Sequence, residues 1–182
     1  MFTYGNMLLQ KVEHENLALL QALKAESWQY VHQTLFINKL DQERWFENLD
    51  SAPSSPRNLA LMVSWIGDNK SDIAHNTKIG CFLMSIDWIS RRADISWSLF
   101  KEYRGMGLGK EFAKANTTFC FTILNLHRLD AEVLETNIAS QKCLEYIGWR
   151  KEGVKRQAIY KCGRYVDSII FGILSSDWVE YG

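Results

Sequence analysis

The sequence predicts an α/β (α+β) chain in which helices are interleaved with a mixed, mostly antiparallel sheet. Apolar runs of strand length occupy residues 58–66, 78–88 and 93–100, and polar turns separate them. Three glycines follow the last of these runs and precede a helical pattern. Near the C-terminus, the sequence Lys-Cys-Gly-Arg at 161–164 lies between two further strand-like runs, as in a hairpin.

The N-terminal part is expected to contribute one strand and two helices. Residues 8–12 are expected to form a strand, and 13–24 an amphipathic helix with leucines on its inner side. Asp41 is expected to cap the second helix. Residues 50–56 contain both prolines of the chain and are expected to form a surface connection.

A long buried helix is expected after the glycines, because apolar residues recur there at steps of four, three, four and four. These residues are Leu108, Phe112, Ala115, Phe119 and Ile123. A shorter helix is expected to begin at Asn137, which suits an N-cap, and to end before Gly148, which suits a left-handed position.

Composition excludes several classes of protein. The 182 residues are 47% hydrophobic and 23% charged, which is typical of one globular domain. Lys plus Arg and Asp plus Glu both number 21, so no overall positive charge favours nucleic acid. No apolar run approaches the ~20 residues of a membrane span, and residues 1–10 do not resemble a signal peptide. We therefore expect a cytoplasmic protein with neither membrane nor nucleic-acid partners.

The four cysteines are not arranged as metal ligands. Cys81, Cys120, Cys143 and Cys162 show neither C-x-x-C spacing nor paired histidines. No metal is expected, and reduced thiols are the default state in a cytoplasmic chain.

The segment Arg104-Gly-Met-Gly-Leu-Gly109 is expected to bind an anion. Glycines let the backbone turn tightly and approach a ligand closely, and the helix that follows adds unpaired N–H donors. A dinucleotide fingerprint would need a third glycine at Lys110 or Phe112, and a phosphate loop of the Walker type would need Ser or Thr at Glu111. The spacing that fits is [QR]-x-x-G-x-[GA], carried by Arg104, Gly107 and Gly109.

A second motif follows, in which Thr136-Asn-Ile-Ala-Ser140 begins a helix that ends at Gly148-Trp149. Together the two motifs resemble the acetyl-CoA-dependent GNAT N-acetyltransferases, and residues 78–178 resemble their RimJ/RimL-like branch. The resemblance implies the GNAT fold, with about seven strands flanked by about four helices in a single domain spanning 1–182. Residues 1–75 would form the acceptor side, and 78–178 the acetyl-CoA-binding core.

The resemblance also implies which residues contact acetyl-CoA, the expected co-substrate. Backbone groups of Ser98, Leu99 and Phe100 would contact the pantetheine and the thioester. The pyrophosphate would lie against the segment Arg104, Gly105, Met106, Gly107, Leu108, Gly109 and Lys110. Asn137 would contact the pantetheine or phosphate arm.

The proton donor to the leaving thiolate is expected to be Ser140, at the position where RimL-like enzymes carry a serine. Many family members have a tyrosine seven residues after the asparagine, but this position is Leu144. Tyr146 is a second candidate, although two helix positions rotate its side chain by roughly 200°.

Two carboxylates remain as the expected general base: Asp94, which matches a frequent family glutamate, and Asp87. The position of the RimL-like catalytic glutamate is Ile159, which accepts no proton. A weak base favours an amine of low pKa, because an α-amine near 8 costs only ~1.4 kcal/mol to deprotonate at pH 7, against ~4.6 kcal/mol for a lysine-like amine near 10.4.

The expected function is therefore acetyl transfer to a primary amine by direct attack in a ternary complex. A protein N-terminus and a small amine such as an amino sugar remain open as acceptors. An acyl-CoA-binding module without turnover is the alternative, since both the usual tyrosine and the RimL-like glutamate are replaced, at Leu144 and Ile159. The apolar segment 165–178 also allows a homodimer.

Overall fold

A computed structural model describes residues 1–30, 38–50, 56–67 and 73–178. In this part of the chain the strands are β1 (Phe2–Tyr4), β2 (Met7–Lys11), β3 (Asn58–Trp65), β4 (Thr77–Asp87), β5 (Arg92–Leu99), β6 (Arg128–Leu134), β7 (Arg150–Lys161) and β8 (Arg164–Leu174). The helices are α1 (Leu17–Ser27), α2 (Lys39–Glu47), α3 (Leu108–Thr118) and α4 (Ile138–Tyr146).

The eight strands form one sheet in the order β1-β2-β3-β4-β5-β6-β8-β7. All neighbouring pairs are antiparallel except β5 and β6, which confirms the mixed, mostly antiparallel sheet. The strand that sequence analysis missed is β1, three residues long and paired with β2 across a tight turn. A strand this short shows too few alternations to be recognised from its pattern.

Helices cover both faces of the sheet. On one face, α1 buries Leu20 and Leu23 against Met62 and Cys81 of the central strands. On the other face, α3 buries Phe112 in a larger core cluster that extends over all but the edge strands. Of the described helices, α1 and α2 pack on the first face and α3 packs on the second.

Two helix starts differ from the expectation. The first helix begins at Leu17, since residues 14–16 form a 3₁₀ turn. Asn38 caps α2, not Asp41: the Asn38 side chain accepts a hydrogen bond from the Asp41 N–H at 2.9 Å. Asp41 instead lies in the first turn, where a carboxylate suits the positive end of the helix dipole.

The helix after the glycines is shorter than expected. The α-helix ends at Thr118 and continues as a π-helical turn over Phe119–Ile123. The wider turn rotates the following residues, and Ile123 is consequently 55% exposed instead of facing the core.

The helix cap, the left-handed glycine and the hairpin turn that the sequence predicts in the C-terminal half are confirmed. Asn137 caps α4 by accepting from the Ser140 N–H at 3.2 Å, and Gly148 has a φ of 92° just after that helix. Cys162 and Gly163, with φ of 49° and 80°, form the two-residue turn between β7 and β8. The connection expected at 50–56 and the polar turn after β3 lie largely outside the described residues.

All four cysteines are free. In the described ranges, His, Cys, Asp and Glu side chains form no group of three that suits a metal ion. A helix both long and apolar enough to span a membrane is also not found in the part of the chain that the structure describes.

We predict that Gly80→Ala destabilises the fold by about 1–3 kcal/mol. A Cβ at Gly80 would overlap the Ser98 carbonyl oxygen and lie 3.2 Å from Leu99 Cα, so β4 and β5 could not keep their spacing. Chemical denaturation measures the change. Gly153→Ala is the matched control, because its Cβ would make only an ordinary contact, 3.6 Å from Ile170 Cδ1. Equal losses in both variants would contradict the prediction.

Candidate active site

The sheet splits open between its two central parallel strands. β5 and β6 pair only over Arg92–Asp94 and Arg128–Asp130. Beyond Asp94, β5 stays paired with β4, while β6 stays paired with β8 up to Leu134. The two strands therefore leave a wedge between them that opens toward the glycine segment.

The backbone of Trp97 faces this wedge. The Phe100 N–H donates to the Ile79 carbonyl at 3.0 Å, so Phe100 and, by alternation along an antiparallel pair, Ser98 direct their backbone groups toward β4. Trp97 and Leu99 direct theirs toward β6. In the part of the sheet that the structure describes, Trp97 has no pairing partner on that side.

This alternation corrects the expected backbone contacts. Phe100 is buried in the core under α1 and already uses its N–H, and the Ser98 carbonyl points at Gly80. The Leu99 carbonyl faces the wedge but accepts a hydrogen bond from Arg104 Nε at 2.9 Å. Trp97 is thus the residue whose backbone N–H and carbonyl can contact a ligand, one position before the expected segment.

The glycine segment forms the expected turn into a helix. Gly105 and Gly107 have φ of 79° and 82°, a conformation that side chains rarely adopt, and Gly107 is the N-cap of α3. Gly109 allows α3 to approach α4, since a Cβ there would lie 3.2 Å from Cys143 Sγ. Three glycines thus have two physical roles: two bend the chain and one permits close packing.

Arg104 joins the glycine segment to α1. Besides its bond to Leu99, its guanidinium donates to Ser27 Oγ at 2.9 Å and lies 5.8 Å from the Tyr30 ring centroid. The expected role of Arg104 was to hold an anion. In the structure two of its donors bind Glu26 and Ser27 at the end of α1, beside the wedge, and a third binds Leu99.

The wedge contains two neighbouring cavities. The outer cavity, of about 440 Å³, extends from the glycine segment along β5 to α4. Of the residues expected to contact a cofactor, its lining includes Ser98, Leu99, Arg104, Gly105, Gly107, Gly109, Lys110, Asn137 and Ser140. Met106 is exposed, Leu108 is buried in the core cluster around α3 and Phe100 in the cluster under α1, so these three side chains lie outside it.

The inner cavity, of about 230 Å³, lies deeper between β5, β6 and α1. Six residues line both cavities, and these are Ser27, Tyr30, Trp97, Ser98, Asn137 and Ser140. The two cavities therefore meet at a common wall, where molecules bound in each would come into contact.

The first turn of α4 forms one side of this common wall. Asn137 accepts from the Ser140 N–H and donates from Nδ2 to the Tyr30 carbonyl at 3.3 Å, so it positions Ser140 and connects α4 to α1. One turn later, Leu144 is fully buried and lines the inner cavity. The position at which many family members carry tyrosine thus faces the cavity, but here it supplies no hydroxyl.

Sequence analysis missed Glu132, a carboxylate on β6. Its oxygens accept hydrogen bonds from the Lys155 ammonium and, at 3.0 Å, from the Ser168 hydroxyl. Its side chain remains 37% exposed and lines the inner cavity. Among the described residues that line either cavity, it is the single carboxylate.

Asp94 lies outside both cavities. Its side chain is 66% exposed and pairs with Arg92 at 3.9 Å. Partial burial and the nearby charge of Asp130 raise the pKa of Asp94, as a base would need, but the carboxylate does not line the space that a substrate would occupy. The geometry of the cavities therefore does not favour Asp94 as the base, which stays a prediction.

Tyr146 also lies outside the cavities. It is 58% exposed at the end of α4, and the Lys110 ammonium lies 3.6 Å from its ring centroid. The rotation of two helix positions turns it away from the face that carries Ser140 and Leu144. It is too far around the helix to donate a proton at the common wall.

The two cysteines in the cavity walls are neutral thiols. Burial raises the pKa of Cys81 to about 12, and burial also raises the pKa of Cys143, against the smaller effect of the Lys110 charge. A cysteine acts as a nucleophile through its thiolate, so neither is suited to carry an acyl group at neutral pH.

A lysine of α1 also lines the inner cavity. Lys24 is half-buried, its ammonium lies 4.4 Å from the Trp45 ring centroid, and burial lowers its pKa. No pattern in the sequence marked Lys24 or Glu132, because the two come together only when α1 packs on the sheet. The inner cavity thus has one basic and one acidic side chain in its wall.

Comparison with known proteins agrees with this arrangement. A family profile described as "Acetyltransferase (GNAT) domain" matches residues 6–150. Because this match covers more than half of the chain, the protein belongs to the GNAT acetyltransferase family.

Similar sequences come from several bacteria. An uncharacterised N-acetyltransferase, p20, of Bacillus licheniformis is 32% identical over 98 residues, which are 54% of this chain and 55% of the relative. The chain thus spans about half the length of this relative. The spermidine N(1)-acetyltransferase of Vibrio cholerae is 27% identical over 167 residues, 88% of this chain and 95% of that protein.

A solved structure confirms the fold. The spermidine N-acetyltransferase of Vibrio cholerae, in complex with CoA and spermine, superposes with a TM-score of 0.84 over 94% of this chain and 97% of that one, at 21% identity. The GNAT fold expected from the two motifs is therefore correct.

Proposed function

We propose that the protein is an acetyl-CoA-dependent N-acetyltransferase that acetylates a primary amine. The observation that carries this proposal is the common wall of the two cavities. The outer cavity begins at a glycine turn and helix N-terminus suited to a pyrophosphate, and it ends at Trp97 and Ser140. The inner cavity begins at the same two residues and contains Glu132. A thioester in one cavity and an amine in the other would meet there.

The proposed reaction is direct attack of a neutral amine on the thioester carbonyl. The Trp97 N–H, which faces the wedge, would donate to the oxygen that becomes negative in the tetrahedral intermediate. When the carbon–sulfur bond breaks, the Ser140 hydroxyl would donate a hydrogen bond to the departing thiolate. The neutral thiols of Cys81 and Cys143 support direct attack over an acyl-cysteine intermediate.

We assign the general base to Glu132. The proton that the amine loses would pass to this carboxylate, directly or through one water molecule. The Lys155 and Ser168 contacts hold the side chain in one orientation toward the cavity. Ser140 and the RimJ/RimL-like pattern around it support placing the protein in that branch, although Leu144 and Ile159 depart from the family residues.

For the acceptor we propose an amine of low pKa: a protein N-terminus or a small amine such as an amino sugar. The inner cavity has one carboxylate and also the ammonium of Lys24, which would repel a second positive charge on a substrate. The sequence from Trp28 to Asn38, which includes the cavity residue Tyr30, contains no Asp or Glu. Both observations disfavour a multiply charged acceptor.

A polyamine is the second candidate acceptor. The observation in its favour is the 27% identity with the spermidine N(1)-acetyltransferase of Vibrio cholerae over 88% of this chain. The third possibility, an acyl-CoA-binding module without turnover, rests on the missing tyrosine at Leu144.

A panel of amines distinguishes these possibilities. We expect short peptides with free N-termini and glucosamine to release CoA from acetyl-CoA faster than spermidine and Nα-acetyl-lysine do. Free thiol reports the rate, and mass spectrometry identifies the acetylated product. A preference for spermidine would refute the low-pKa acceptor. Binding of acetyl-CoA without release of CoA for any amine would favour the sensor.

A further inference from the structure

Two lysines and a tyrosine form a basic platform at the rim of the outer cavity, defined by Lys110, Lys114 and Tyr146. The lysines lie one turn apart on α3, and the tyrosine lies in the last turn of α4. Their ammonium groups lie 3.6 Å and 5.7 Å from the centroid of the Tyr146 ring. The ring is 58% exposed, and Lys110 also lines the cavity.

Both ammonium groups lie beside the same tyrosine ring at the rim of the outer cavity. An ammonium group is attracted electrostatically to the face of an aromatic ring. An anion that both ammonium groups contact would gain two charge-assisted hydrogen bonds. The catalytic steps proposed above use none of these three side chains.

The platform lies near the place where one end of acetyl-CoA would bind. This step depends on the proposed function, in which the thioester lies at Ser140 and the pyrophosphate at the glycine segment. Ser140 is in the first turn of α4 and Tyr146 is six residues later, about 9 Å along the helix axis. Between them, Cys143 packs on Gly109 of the glycine segment. The part of the cofactor that is attached beyond the pyrophosphate would therefore lie at the platform.

We propose that the basic platform binds the 3′-phosphate on the adenosine end of CoA, with the phosphate between the Lys110 and Lys114 ammonium groups. Tyr146 is a positioning residue that keeps both lysines at the rim. The consequence is selectivity: the protein distinguishes acetyl-CoA from 3′-dephospho-acetyl-CoA, which differs only in this group.

Calorimetric titration with these two ligands tests the site on the complete chain. We expect wild type to bind acetyl-CoA about tenfold more tightly than the dephospho ligand, since partly exposed charge pairs contribute modestly. In Lys114→Gln and in Tyr146→Leu the ratio should fall to about threefold or less, mainly through weaker binding of acetyl-CoA. Lys39→Gln, an exposed lysine of α2 that pairs with Glu43, is the charge-matched control and should keep the wild-type ratio.

Each outcome of the titrations supports or overturns the binding of the 3′-phosphate at the platform. A falling ratio in the two variants and an unchanged ratio in the control support it. Equal affinity of wild type for both ligands, or a ratio that both variants retain, would overturn the assignment while leaving the proposed function intact. If wild type binds neither ligand, the proposed function fails, and the platform fails with it.

Discussion

Gly107→Trp is expected to abolish the binding of acetyl-CoA, with a loss of affinity of at least about 100-fold. Gly107 lines the outer cavity and caps α3, and no atom lies within 4 Å of the position that a Cβ would occupy. An indole there would fill the space in front of the helix N-terminus, where the pyrophosphate is proposed to bind. Equilibrium dialysis with radiolabelled acetyl-CoA measures the loss.

Gly163→Trp is the matched control for this variant. Gly163 has a φ of 80°, close to the 82° of Gly107, and it also has no atom within 4 Å of a Cβ. It lies in the turn between β7 and β8, away from both cavities. The two variants should lose similar stability from backbone strain, but only Gly107→Trp should lose acetyl-CoA. Retained affinity in Gly107→Trp would contradict the placement of the cofactor.

Glu132→Gln is expected to lower kcat/KM for the preferred amine by about 10²–10⁴-fold, the usual contribution of a general base. The amide keeps the size of the side chain and its bond to Ser168 but cannot accept the proton. The affinity for acetyl-CoA should stay the same, because Glu132 lines only the inner cavity. Initial rates of CoA release and a separate binding measurement distinguish the two effects.

Glu152→Gln provides the control for the loss of a carboxylate. Glu152 on β7 pairs with Arg128 on β6, across β8, and does not line either cavity. An exposed ion pair contributes only about 0–1 kcal/mol to stability, so both variants should remain folded. If Glu132→Gln and Glu152→Gln have the same rate as wild type, Glu132 is not the base.

The parts of the fold that sequence analysis predicted correctly depend on local chemistry. Asn137 caps a helix through its own side chain, and Gly148 and Gly163 occupy backbone conformations that favour glycine. These requirements involve only a few consecutive residues, and they leave a clear pattern in the sequence. The glycine segment was predicted for the same reason.

The site residues that sequence analysis missed depend on tertiary pairing. Asp94 and Glu132 are both carboxylates on strands, and only the splaying of β5 from β6 decides that Glu132 lines a cavity. The difference between the predicted contact at Phe100 and the proposed contact at Trp97 has a similar origin, since the pairing with β4 decides which backbone groups face the wedge. Neither the splay nor the pairing register is encoded in a local pattern.

The most direct test of this account is calorimetric titration of the wild-type protein with acetyl-CoA, with NAD and ATP as control ligands. We predict saturable binding of acetyl-CoA with a Kd in the micromolar range, about −8 kcal/mol, and no comparable binding of the two nucleotides. A folded protein that fails to bind acetyl-CoA, or that binds all three ligands equally, would contradict the assignment of the outer cavity.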